Sequence, residues 1–311
     1  MSPPRPPAPG PRPREPQRGA RWVRLSDKVR VYSEWVKFPH TVFALPFALM
    51  GAVLAARGIP SARTLGWILV AMVGARSGAM GANRLADWRF DALNPRTRDR
   101  ALPRGLLGRG EAWAFVITAF ALFFFAAWRL NPVCLALSPL AAAIVIGYSF
   151  TKRFTVLTHL FLGLSIGVAP MGGWLAVSGR FDLPPVLISL AVLAWVAGFD
   201  ILYALADVDF DRQHGLCSIP ARLGIASALG IARGLHAATF ACLAALIPWL
   251  GLGGWFAAGL VSIGGLLAYK HVILWRHGLS KLDVAFFTVN GVVSVAMFAF
   301  TLADVLIRGG G

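Results

Sequence analysis

Asn83, Asp87 and Asp91 stand four residues apart, and so do Tyr203, Asp207 and Asp211. On an α-helix that spacing puts three side chains on one face within about 12 Å. The second triplet follows the first by 120 residues at all three positions, and five of the nine residues of NRLADWRFD recur in YALADVDFD. Seven of the chain's 14 acidic residues fall in these two neighbourhoods: Asp87, Asp91, Asp99, Asp200, Asp207, Asp209 and Asp211. The pattern suggests an internal duplication in which the ends of two helices, the second and sixth spans, face each other across a cavity. Asp209 falls off the shared face and is the weakest ligand candidate.

Carboxylates at the end of an apolar helix can be a solvated terminus, a proton or cation path, or a metal site. Two matched sets do not fit the first reading. Asp is also disfavoured at a helix C-terminus, where the macrodipole is negative, so such a cluster needs a cation. Magnesium prefers oxygen ligands and binds a few carboxylates together with substrate phosphates. Basic residues follow each set: Arg96, Arg98, Arg100 and Arg104 in a loop punctuated by Pro95 and Pro103, then Arg212 and Arg222. Lys152 and Arg153 lie between them. Carboxylates, magnesium and a set of Arg and Lys can hold a diphosphate and stabilise it as a leaving group.

The elements that must position these groups are membrane helices. Among 311 residues, 57% are hydrophobic and 14% charged, against roughly 25% charged in soluble domains, and the mean hydropathy is +0.65. An ordinary soluble enzyme is excluded. Runs such as 114–127 and 184–198 are apolar on every face, unlike the alternating strands of a membrane barrel. The expected fold is all-α, with nine transmembrane helices around a central cavity and cytoplasmic cap loops. Breaks are expected at 57–63, 90–109, 128–132, 151–154, 178–183, 207–224, 250–254 and 270–283. Residues 1–36 read as a disordered basic tail rich in Pro and Arg, and 37–311 as a single transmembrane domain.

The net charge of +16 points to nucleic acid only until its location is read. Alternate polar segments, beginning with the N-terminal one, collect most of the Lys and Arg. By the positive-inside rule the N-terminus and the motif loops are cytoplasmic and the C-terminus external. The charge then faces anionic lipid or an anionic substrate, and no nucleic acid is expected. Cys134, Cys217 and Cys242 have no paired spacing and imply neither disulfide nor zinc. Arg76 lies inside the second span, seven residues before Asn83 on nearly the same face. An arginine in hydrocarbon needs an anionic partner, and a substrate carboxylate or a structural pair would serve. His159, His236 and His271 stand singly and are expected to be packed or interfacial; His40 and His214 lie beside loops. Gly163 and Gly167 read as a helix-packing pair.

NRLADWRFDALNPRTRDRALPRG, YSFTKRFT and DILYALADVDFDRQHGLCSIPARLG together resemble the UbiA-type intramembrane prenyltransferases, and KFPHTVFALPFALMGA is similar to their bacterial quinone-pathway branch, the 4-hydroxybenzoate polyprenyltransferases. The resemblance runs from about Lys37 to Leu306. It implies magnesium-dependent transfer of a polyprenyl group from a polyprenyl diphosphate to a ring carbon of an aromatic acid, in ubiquinone or menaquinone biosynthesis at the bacterial inner membrane. Asn83, Asp87, Asp91, Asp207 and Asp211 would hold the metal. Arg84, Arg96, Arg100, Arg104, Lys152, Arg153 and Arg212 would hold the diphosphate. Asp200 and Tyr203 would lie near the reacting centre with Asp87, Asp91, Asp207 and Asp211, while Arg76, Asp200 and Arg153 would bind the acceptor.

Chemistry supports the same arrangement. A polyprenyl tail dissolves only in lipid while its diphosphate must meet metal, and a buried cavity keeps water from an allylic cation. Trp88, Tyr148, Phe199 and Phe210 could stabilise that cation, although ordinary packing also explains them. Naphthoate, haem and other lipid-quinone precursors are alternative acceptors. A secondary transporter also uses duplicated helices and intramembrane carboxylates, but its acids would lie deeper and need no cation-rich loops. A CDP-alcohol phosphotransferase would carry an aspartate-glycine and alanine-arginine signature that is missing.

Overall fold

Local sequence punctuation sets the helix ends. In the computed structural model, which describes residues 31–32, 35, 44–278 and 288–309, α1 (Leu45–Ala56) has Pro46 in its first turn and ends at Arg57, φ 50°. Ser61 caps α2 (Ala62–Leu93) by accepting a hydrogen bond from Thr64 N. The α3 helix (Arg109–Leu130) is followed immediately by Asn131, which accepts from Cys134 N and opens α4 (Pro132–Thr151). Gly179 adopts φ 65° after α5 (Thr158–Ser178), a left-handed stop that glycine takes without a Cβ penalty.

The chain continues through α6 (Leu183–Tyr203), a 3₁₀ turn (Ala204–Asp207), the short α7 (Val208–Gln213) and α8 (Ile219–Leu223), and then α9 (Ile225–Leu250), α10 (Gly254–His277) and α11 (Val289–Gly309). Eight helical segments among the described residues are long and apolar enough to cross a membrane, and α1 is a shorter apolar helix. The first expected span is represented among the described residues by α1. Most of the expected tail lies outside the described residues, but Trp35 is already helical and 3% exposed, edge-on to Phe115. Packing thus begins ahead of Lys37.

One expected break is corrected. The connection placed at 270–283 begins later, because α10 runs to His277 and Lys270 is 1% exposed inside it. Lys270 donates to Asn290 Oδ1 at 2.6 Å, which gives this buried cation a polar partner between α10 and α11.

Two groups of helices form the bundle. The α2 helix packs along α3 and against α4, while α5 and α6 pack together, α1 joins α5, α9 joins α6, and α11 bridges α10 to α1. Contact between α1 and α2 is sparse. A cavity of about 300 Å³ lies between the groups, lined from α1 through α5 by residues including Ile68, Ala75, Leu130, Cys134, Ala141 and Ala169. The core proper is centred on α6, where Ile188, Val192 and Trp195 are fully buried against Met50, Leu243 and Phe256.

Close backbone approach holds α5 in place. A Cβ on Gly163 would lie 2.3 Å from Leu193 O, and one on Gly167 would lie 2.8 Å from Ser189 O. The small-residue pair is therefore the α5–α6 contact, as expected. Such overpacking costs about 1–3 kcal/mol, so Gly163→Ala should lower the detergent melting temperature. Gly265→Ala, with nothing within 4 Å of its Cβ, should leave it unchanged; equal losses in both variants would contradict the close crossing.

Candidate active site

The α2 helix is 32 residues long, about 48 Å at 1.5 Å per residue, and therefore longer than a hydrocarbon core of about 30 Å. Its surplus lifts the last turns to the membrane boundary. Asp87 and Asp91 lie there on one face, each 6% exposed, with Asn83 Nδ2 at 3.5 Å from Asp87 Oδ2. The first triplet is arranged as its spacing requires.

The second triplet is not on one continuous helical face. The α6 helix stops at Tyr203 and the chain tightens into the 3₁₀ turn over Ala204–Asp207 before α7 carries Asp211. Such tightening satisfies carbonyls orphaned at a helix end: Ala204 N donates to both Asp200 O and Leu202 O. At three residues per turn, a four-residue step no longer repeats the face. Tyr203 and Asp207 nevertheless share a partner, Arg96, which donates through Nη1 to Tyr203 Oη at 2.8 Å and through Nε to Asp207 Oδ1 at 3.1 Å. Its Nη2 also donates to Asp207 Oδ2. Burial disfavours the Arg96 charge, but the hydrogen bonds and charge of Asp207 outweigh it and raise its pKa.

Each remaining carboxylate also has a partner. Arg100 Nη1 reaches Asp91 Oδ1 at 2.6 Å, and buried Arg84 lies 4.0 Å from Asp91 Oδ2. Lys152 and Arg153, from the loop after α4, reach the two oxygens of Asp87 at 3.3 and 3.5 Å. Ser218 Oγ donates to Asp211 Oδ2 at 2.7 Å. The loop after the first triplet thus crosses to the second, and the α4–α5 loop returns to the first.

Several expected residues lie elsewhere. Arg104 is exposed, and the Arg212 side chain turns to Ala221 O at 3.1 Å. Asp209 is exposed. Phe199 is 3% exposed between Trp195 and the Lys270 ammonium, Phe210 stacks on His214, and Trp88 lies under Arg89 and Arg109. Tyr148 alone of the four aromatics considered as cation stabilisers lines the cavity, together with Arg76. Tyr148 stands four residues before Lys152 on α4, so the end of one helix carries both the cavity wall and a cation that reaches Asp87.

His159 and His236 are packed, as expected, but the histidines do not stand singly. His159 Nδ1 lies 2.7 Å from Asp200 Oδ2, and His236 Nδ1 lies 2.8 Å from His271 Nε2. Neither pair has a sequence signal, since the partners are 41 and 35 residues apart. Residues 217–219 were likewise missed. Cys217 N donates to Lys152 O at 2.7 Å, Ser218 holds Asp211, and Ile219 N donates to His159 Nε2 at 3.3 Å.

An apolar intramembrane cavity with one arginine in its wall, set beneath facing carboxylates and crossed by basic loops, defines a membrane enzyme for an amphiphile with an anionic head. The chain belongs to the UbiA prenyltransferase family, whose model matches residues 44–299. It is 31% identical over 276 residues to the 4-hydroxybenzoate octaprenyltransferase of Methylococcus capsulatus, covering 87% of this chain and 92% of that one. It is 30% identical over 297 residues to the Azoarcus sp. protein of the same name, covering 92% and 100%. A UbiA homologue from Aeropyrum pernix has the same architecture, with TM-score 0.79, 37% identity and coverage of 85% of this chain and 98% of that one. The fold is also shared with an Archaeoglobus fulgidus UbiA homologue bound to GPP and Mg2+, at TM-score 0.69, 23% identity and coverage of 89% and 99%.

Asp91 accepts from Arg100 and lies 4.0 Å from the buried guanidinium of Arg84. Removing one partner from a buried ion pair costs about 3–5 kcal/mol, so Asp91→Asn should markedly lower the melting temperature of the ligand-free protein. Asp209→Asn should change neither stability nor turnover. An unchanged melting temperature for Asp91→Asn would show that solvent already screens Arg84 and Arg100.

Proposed function

We propose that this protein transfers a polyprenyl group from a polyprenyl diphosphate to a ring carbon of an aromatic acid, with magnesium, in quinone biosynthesis. 4-Hydroxybenzoate is the favoured acceptor, and naphthoate and haem precursors are the alternatives. The observation that carries this reading is the stacking of the two carboxylate sets and their basic loops over an apolar cavity that holds Arg76.

The donor set fits the metal. Asp87, Asp91, Asp207 and Asp211, with Asn83, would offer it carboxylate and amide oxygens. That suits magnesium, which takes one or two carboxylates and completes its shell with phosphate and water. When bound, the ion neutralises charge building on the departing diphosphate.

The side chains supply the rest. Arg96, Arg100, Lys152 and Arg153 each donate to a carboxylate or lie in ion-pair range of one, so they stand where phosphate oxygens would meet them. Moving from carboxylate to phosphate, they keep the charge of the layer balanced while gaining charge-assisted hydrogen bonds. The apolar cavity takes the proximal prenyl chain and excludes water from the allylic carbon as its bond to oxygen breaks. Arg76, in the same cavity wall as Tyr148, pairs with the acceptor carboxylate and orients the ring. Asp200, paired with His159, and Tyr203, held by Arg96, are assigned to the reacting centre.

Mass spectrometry of membranes supplied with a prenyl diphosphate and a panel of acceptors tests the reaction. Product should form with an aromatic acid and magnesium, and failure with every aromatic acid would overturn the assignment. Asp87→Asn and Asp207→Asn should each reduce turnover on the order of 100-fold or more in a folded protein, and chelation should do so reversibly. Full activity in either variant would remove the shared metal site.

Arg76→Ala should raise the acceptor's Michaelis constant by roughly 10- to 150-fold, as expected for a lost charged hydrogen bond of about 1.5–3 kcal/mol, while sparing that of the donor. Arg76→Lys should recover part of the loss, because a point charge replaces a planar fork. Equal losses for donor and acceptor would make Arg76 structural.

The orientation follows from charge: a cytoplasmic N-terminus and motif loops, in the bacterial inner membrane. In a variant without native cysteines, Asp209→Cys should be labelled only from the cytoplasmic side and Arg180→Cys only from outside. The reverse pattern would invert the topology.

A further inference from the structure

His159 is buried, with 3% of its side chain exposed, and both ring nitrogens are engaged. The backbone N–H of Ile219 can only donate, so Nε2 must accept. A neutral ring accepting at Nε2 carries its proton on Nδ1. Nδ1–H therefore donates to Asp200 Oδ2 at 2.7 Å. The tautomer is fixed by a backbone amide.

That amide is itself held in place. Ile219 opens α8, and the two residues before it are fixed by the Cys217 bond to Lys152 O and the Ser218 bond to Asp211. His159 thus ties a carboxylate near the end of α6 to a short strap that also touches the basic loop and the second acidic set. Asp200 retains 24% side-chain exposure, and its Oδ1 has no hydrogen-bond partner among the described residues. Asp200 and Arg76 are both electrostatic neighbours of Tyr148. In the acceptor reading given above, the ring's carboxylate pairs with Arg76 in the cavity wall and its hydroxyl is assigned to Asp200.

We propose that His159 is a positioning residue that aims the free oxygen of Asp200 at the ring hydroxyl of the acceptor. The carboxylate accepts that hydroxyl's hydrogen bond and so increases electron density on the neighbouring ring carbons, where the new carbon–carbon bond forms as the donor's allylic C–O bond breaks, diphosphate leaves and the ring carbon's proton passes to solvent. His159 neither touches the acceptor nor exchanges a proton. The inference rests on the aromatic hydroxy acid reading given above.

Side-chain chemistry supplies the test. Glutamine carries one amide donor and one amide acceptor and does not titrate, so His159→Gln can bridge Asp200 and Ile219 in the same sense. Phenylalanine fills the space and bridges nothing. A misaimed contact costs on the order of 10- to 100-fold in turnover. With 4-hydroxybenzoate and saturating prenyl diphosphate, His159→Phe should lose that much kcat with the donor's Michaelis constant unchanged, and His159→Gln should stay near wild type. If the Phe variant does not accumulate in membranes, His159→Asn, whose shorter amide cannot span both partners, should show the same deficit. Glutamine as damaging as phenylalanine or asparagine, near-wild-type turnover in the Phe or Asn variant, or a loss falling on the donor's Michaelis constant would overturn the assignment. A wild-type protein that prenylates no aromatic hydroxy acid would instead defeat the acceptor reading, before any variant is compared.

Discussion

Carboxylates gathered at the end of an apolar helix face the negative end of the helix dipole and the edge of a solvent that does not hydrate them. They can stay ionised there only if cations reach them. Because α2 cannot supply all of those cations from its own face, they come from loops: Arg96 and Arg100 from the segment after α2, and Lys152 and Arg153 from the segment after α4. Each loop must therefore fold over the helix ends rather than extend into water. The cap over the cavity is a consequence of that electrostatic requirement.

The same requirement explains why the strap at residues 217–219 is built from three different kinds of bond. A backbone amide fixes Lys152 through its carbonyl, a hydroxyl holds Asp211, and a second amide fixes His159. None of these bonds adds net charge to the layer. The strap orders the charged groups without disturbing their balance, and charged side chains remain available for exchange onto an anionic ligand.

Sequence patterning revealed the all-helical membrane fold because apolar runs and caps are local properties. Pro46, Ser61, Asn131 and Gly179 punctuate the helices as their chemistry dictates. The first acidic triplet was legible for the same reason, as was the α5–α6 contact at Gly163 and Gly167. What escaped were pairings across the bundle. His159 with Asp200 and Lys270 with Asn290 join side chains on different helices, and a single sequence carries no trace of such contacts. The 3₁₀ turn was also hidden, because it arises from orphaned carbonyls at the end of α6 rather than from the spacing of Tyr203, Asp207 and Asp211. Arg104 and Arg212 are close to the acids in sequence, whereas the actual path of each loop decides which cations arrive.

That hidden turn makes the two halves of the apparent duplication unequal. In the first half an unbroken helix buries its acids, and 9% of each of the Asp87 and Asp91 side chains is exposed. In the second the tightened backbone brings Asp207 farther out, to 19%, and places Tyr203 and Asp207 on one arginine. A strictly symmetric pair would present two equivalent carboxylate faces to a substrate whose ends are not equivalent. Breaking the helix after Tyr203 instead leaves Asp200, near the end of the regular helix, on His159, while Asp207 and Asp211 continue toward the basic loops. One helix terminus thereby serves two environments, an apolar cavity on one side and a charge-dense boundary layer on the other, which is the division that a lipid-tailed anion imposes.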